Sequence, residues 1–112
     1  MDIKLPTIIA EFLKAKNGYD STAFVACFTY DAVVYDEGGE MHGTTAIKKW
    51  IEASNEKYQD TITAEKIVEH DNETVLTGLV SGNFDGSPVL LDFHLTIRDG
   101  KISLLRIELT DG

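Results

Sequence analysis

Near residue 60 the spacing of apolar residues changes from helical to alternating. That change restricts the fold of this chain more than any other feature. Before it, Leu5, Ile8, Ile9, Phe12 and Leu13 recur at i, i+3 and i+4, which predicts a helix over 5–17. Pro6 suits its first position and Asn17-Gly18 its end. Asp20 can cap a second, short helix that carries Phe24 and Phe28 on one face and ends near Phe28 or Thr29. Ala32–Asp36 is β-branched and aromatic, hence a strand, and Glu37–Glu40 turns it into a short return through Met41-His42. A third helix is expected from about Thr44, its cap, to Tyr58, with Ile47, Trp50, Ile51, Ser54 and Tyr58 on one face.

After residue 60 strands are expected at 61–70, 74–84, 88–98 and 101–109. Asp71-Asn72, Asp85–Pro88 and Asp99-Gly100 separate them with turn chemistry. In strand 88–98 Val89, Leu91, Phe93, Leu95 and Ile97 form one face, which should meet the helices. Leu90, Asp92, His94, Thr96 and Arg98 form the other. Gly78 and Gly82 share a face with Val80 and Phe84, so the sheet either curls there or leaves a hollow. In the last strand a bulge near Ser103–Leu104 would turn Ile102, Leu105, Ile107 and Leu109 inward, with Arg106 and Glu108 outward. The fold class is α+β: three helices packed in a strongly curved, mostly antiparallel six-stranded sheet, in the order α-α-β-β-α-β-β-β-β.

Composition narrows the partners. The 112 residues make one domain, 1–112. A net charge of −9 argues against nucleic acid and against an anionic membrane surface. No apolar run is long enough to span a bilayer, and Met1–Lys4 lacks the shape of a leader, so a cytoplasmic location is expected. The single cysteine, Cys27, excludes an intrachain disulfide and reads as a small buried hydrophobe. The three histidines are far apart, so neither a metal nor another cofactor is expected.

Three stretches carry a family resemblance: Phe28-Thr29-Tyr30-Asp31-Ala32-Val33-Val34-Tyr35-Asp36, His42-Gly43 ahead of Ile47 and Trp50, and Asp99-Gly100-Lys101-Ile102. In this order they resemble the nuclear transport factor 2-like superfamily, which has a cystatin-like fold and includes the SnoaL-like proteins. The resemblance implies a cone with an apolar pocket at its open end, and a homodimer through the outer sheet face. It settles no activity, because the superfamily spans isomerases, cyclases, dehydratases and non-enzymatic carriers. In the ketosteroid isomerase branch the second Asp of an Asp-Ala-x-Val-x-Asp strand is the general base, and the resemblance places Asp36 there. The two proton donors of that branch fall at Phe12 and at Phe93 or Leu95, all apolar, which argues against steroid-isomerase chemistry. The Asp–Arg–Asp set of the epoxide-hydrolase branch has no counterpart, since Arg98 and Arg106 read as outward.

Each candidate has a plainer reading beside it. Asp36 is a base on an apolar wall or a turn residue before Glu37-Gly38-Gly39. His42 is its acid/base partner across the hairpin or part of the turn into the third helix. Asp92 and His94 share one strand face, expected to be the outer one. Phe12, Phe28, Val34, Trp50, Tyr58, Val80, Phe84, Phe93 and Leu105 are core residues or ligand-binding wall. Two functions are therefore carried forward. One is a binding shell for a small apolar or carbonyl-bearing molecule, with proton transfer by Asp36. The other is a non-catalytic dimeric module that binds a ligand or a protein. Whether Asp36 lies in a cavity or at an exposed hairpin tip separates them.

Overall fold

The computed structural model describes residues 4–110; Met1–Ile3, at the start of the stretch read as lacking a leader, lie outside them. The elements run α1 (Thr7–Asn17), α2 (Ser21–Ala26), β1 (Phe28–Asp36), β2 (Gly39–His42), α3 (Gly43–Tyr58), β3 (Thr61–His70), β4 (Glu73–Ser81), β5 (Val89–Arg98) and β6 (Lys101–Leu109). One six-stranded sheet has the order β2-β1-β6-β5-β4-β3. Only the β1–β6 pair is parallel. The helices close over its inner face, and the α+β class follows.

The boundaries differ from expectation where competing local signals meet. Pro6 caps α1 from outside it, and its carbonyl accepts the first helical bond from Ala10. Asp20 caps α2 as expected, accepting from the Ala23 N–H at 3.0 Å. The helix nevertheless ends at Ala26, and Phe28 opens β1 instead of extending the helix. The run from Phe28 onward is aromatic and β-branched, which favours a pleated, half-buried surface. His42, not Thr44, stands at the α3 cap position, without a side-chain cap bond.

β4 stops at Ser81, so Gly82 and Phe84 leave the sheet. Of the two alternatives at Gly78 and Gly82, a curl or a hollow, the hollow does not form. A side-chain carbon on Gly78 would fall 2.6 Å from Ile62 and 3.3 Å from the Phe93 ring. One on Gly82 would fall 2.6 Å from Asp60 and 2.7 Å from the Tyr58 carbonyl. Both glycines therefore serve close approach rather than emptiness. At the sheet edge, the Asn17 amide pairs with the backbone of Ile62, donating to its carbonyl at 2.9 Å and accepting from its N–H at 2.8 Å. This ties the end of α1 to β3.

The β6 bulge lies where expected. Thr96 pairs with Leu104 and Ile97 with Ile102, leaving Ser103 as the extra residue. Ile102 and Leu105 are both buried as a result, and Arg106 and Glu108 face out. Leu109 is a correction: it was expected inward but is 72% exposed, because it ends the strand beyond the helices' cover.

Candidate functional site

The two faces of β1 decide what each of its residues meets. Ala32 and Val34 are fully buried on the inner face. Asp36 has the same parity but ends the strand, where the sheet opens, and there it lines a cavity of about 290 Å³. The Trp50 indole N–H, from α3, donates to Asp36 Oδ2 at 3.3 Å. Burial pushes the Asp36 carboxyl above its ordinary value, and the Glu37 charge adds to that; the Trp50 bond opposes it. Next to it, the Tyr58 hydroxyl donates to Glu37 Oε1 at 3.2 Å. A half-desolvated carboxylate on a mostly apolar wall can accept a proton.

Of the expected wall, Phe12, Trp50, Tyr58, Val80, Phe84, Phe93 and Leu105 line this cavity. Phe28 and Val34 do not. Phe28 packs in the core with its ring 5.1 Å from Phe24 and 6.4 Å from Phe12, and Val34 lies wholly within the core. His42 does not join Asp36. It pairs with Val33 across the hairpin, so it shares the outer face, where it is exposed and 2.9 Å from Glu40. Asp92 and His94 are also on the outer face. Asp92 accepts from Thr77 at 2.7 Å and from Thr110 at 3.1 Å, while His94 Nε2 lies 3.1 Å from Glu108. Among the described residues no group of His, Cys, Asp and Glu is placed to hold a metal.

Residues 9–105 match the SnoaL-like domain family. The chain belongs to that family. It is similar to a Sinorhizobium meliloti protein called a polyketide cyclase: 34% identity over 93% of this chain and 95% of that one, with a TM-score of 0.90. A Catenulispora acidiphila protein with a ketosteroid isomerase-like fold, solved in complex with trimethylamine, shares 19% identity over 96% of this chain and 88% of that one, at a TM-score of 0.85. A Kribbella flavida protein called a ketosteroid isomerase shares 10% identity over 94% of this chain and 76% of that one, at a TM-score of 0.78. The last two likenesses concern the fold alone. No curated protein matches the sequence.

Within this SnoaL-like cone one part of the cavity wall is charged, and the sequence reading missed it. Lys16 and Asp60 both line the cavity. The Lys16 side chain is 6% exposed, and its ammonium donates to the Asp60 carbonyl at 2.7 Å and to Asp60 Oδ1 at 3.0 Å. The signal was present in α1, because Lys16 continues the stripe of Ile9 and Phe12 at helical spacing. Nothing local marked Asp60 as its partner. It is delivered by the left-handed Gln59 that ends α3 (φ 47°, ψ 47°).

Proposed function

We propose that this chain binds a small apolar or carbonyl-bearing molecule in the cavity between helices and sheet, and that Asp36 takes a proton from carbon there. One observation carries the reading: Asp36 lies on the cavity wall, half-buried, with its carboxyl held above the ordinary value, not at an exposed hairpin tip. A raised pKa brings a carboxylate closer to the strength that carbon-acid chemistry needs. The C–H proton passes to the Asp36 carboxylate. The electron pair left behind spreads onto the adjacent carbonyl oxygen, and the proton is then returned to carbon. The Sinorhizobium meliloti relative is called a polyketide cyclase. Forming a ring by carbon–carbon bond formation begins with the same proton removal, which supports the reaction class without naming a substrate. Phe12 and Phe93, which line the cavity, carry no proton donor for the oxygen, which argues against steroid isomerisation.

The test needs no known substrate. Small cyclic and aromatic ketones are incubated with the protein in heavy water, and deuterium uptake at the carbon next to the carbonyl is followed by NMR. Uptake faster than in buffer, and abolished in Asp36→Asn, is the expected result. No acceleration with any ketone that binds in the cavity removes the base role.

The reading extends to a homodimer through the outer sheet face. Leu90 there is 42% exposed, beside its half-buried cross-strand partner Leu79. Light scattering on Leu90→Lys tests this: a wild-type dimer that becomes monomeric is expected, and a wild-type monomer at all concentrations ends it.

A further inference from the structure

We infer that the cavity's ligand carries a positively charged nitrogen, held by the carboxylates of Asp36 and Glu37 and by the ring of Trp50. The inference rests on the reading of this cavity as the ligand site. Its starting point is charge accounting around Asp36. On the cavity side stand Glu37, Asp60 and Lys16, and the Lys16 ammonium is committed to Asp60. On the other side a second hollow of about 240 Å³ shares Asp36 and Glu37 and adds Glu40, Arg106 and Glu108. There the Arg106 Nε is committed to Glu108 at 3.3 Å. Lys57 lies 5.0 Å from the centre of the Tyr58 ring and is not part of the lining. Among the described residues no cation comes within ion-pairing distance of Asp36 or Glu37.

Two carboxylates thus face an aromatic cavity without a counter-charge. Each is held by an aromatic donor, Asp36 by Trp50 and Glu37 by Tyr58. A cation placed there gains Coulomb attraction in a partly dry site and the attraction of the Trp50 ring. A neutral ligand of the same shape leaves both carboxylates uncompensated. The two kinds of ligand therefore move Asp36 in opposite directions. A cation lowers its pKa, whereas a neutral ligand that excludes water raises it.

Choline and 3,3-dimethylbutan-1-ol are the probes, because they have the same shape and differ in charge. Binding is read from the Trp50 indole N–H signal, and the Asp36 titration from carboxyl NMR. Choline is expected to bind about tenfold more tightly at neutral pH, with the preference fading as Asp36 is protonated and in Asp36→Asn. Glu37→Gln should reduce the preference in part. Equal affinities, a preference untouched by both variants, or no choline binding at about 100 mM would each overturn the inference. The base role stands or falls separately. Choline selectivity without deuterium uptake in the ketone assay removes the base and leaves the cation site. Deuterium uptake with equal affinities does the reverse.

Discussion

Strand β1 carries two aspartates, Asp31 and Asp36, and the two have opposite electrostatic fates. Asp36 has the parity of the buried Ala32 and Val34, whereas Asp31 lies exposed in the stretch of β1 where the register shifts, between Phe28 and Val33. Asp31 is exposed and accepts from Arg98 Nη2 at 2.7 Å. That bond holds its carboxyl below the ordinary value. Asp36 has an apolar wall and, among the described residues, no cation within ion-pairing distance, and lies above it. The same side chain on the same strand becomes a stable surface anion or a carboxyl held above its ordinary value according to what the sheet turns it toward.

The largest test of this contrast removes the wall. Trp50→Ala is expected to cost about 3 kcal/mol in urea unfolding, and to bring the Asp36 titration down toward Asp31 as water enters. Trp50→Ala also removes the indole hydrogen bond, which holds the carboxyl down, so a rise in the Asp36 titration would mean that the bond outweighs the dry wall. Next comes Asp60→Ala, which leaves the buried Lys16 with fewer partners. A loss of about 2 kcal/mol is expected, below the usual range for breaking a buried pair because a backbone carbonyl acceptor remains at position 60. The freed ammonium should also lower the Asp36 pKa, so a rise would contradict the placement of Lys16.

A smaller effect separates the aspartates by pH. The folded-state pKa of Asp36 is raised, so the folded protein binds that proton more tightly than the unfolded chain. Asp36 therefore lowers stability as pH climbs from the unfolded pKa through the folded one. Asp36→Asn should accordingly stabilise the protein at neutral pH and lose that advantage in acid. The folded-state pKa of Asp31 is lowered, so its contribution is present above the unfolded pKa and disappears as pH falls through the folded one. Asp31→Asn should accordingly destabilise at neutral pH only. Melting curves across pH in which both variants shift the same way would erase the distinction. The smallest effect is ionic. At about 1 M salt, where screening acts within roughly 3 Å, Asp31 should drift up toward the ordinary carboxylate value while Asp36 barely moves.

Much of this contrast was legible in the sequence. The period of two placed Phe93 and Leu95 inward and Arg106 and Glu108 outward, and it anticipated the extra residue at Ser103. It also put Asp36 on the face of Val34. The misreadings sit at element ends. A phenylalanine four positions after Phe24 fits either period, and Phe28 opens β1 instead of ending α2. Phe84 was kept in a strand that ends at Ser81. His42 was paired with Asp36 by nearness along the hairpin, but the register sends it to the other face.

The order of elements, the α+β class and the two faces of each strand were determined by the chain alone, because periodicity and turn chemistry are local. Lys16 meeting Asp60 across 44 positions, Ile62 filling the space at Gly78, and the lack of a cation near Asp36 among the described residues were decided only by the tertiary structure. These depend on how far the sheet bends over the helices and on which side chains then exclude water. No stretch of sequence encodes either quantity by itself, and together they turn one of the chain's 19 acids into a candidate base.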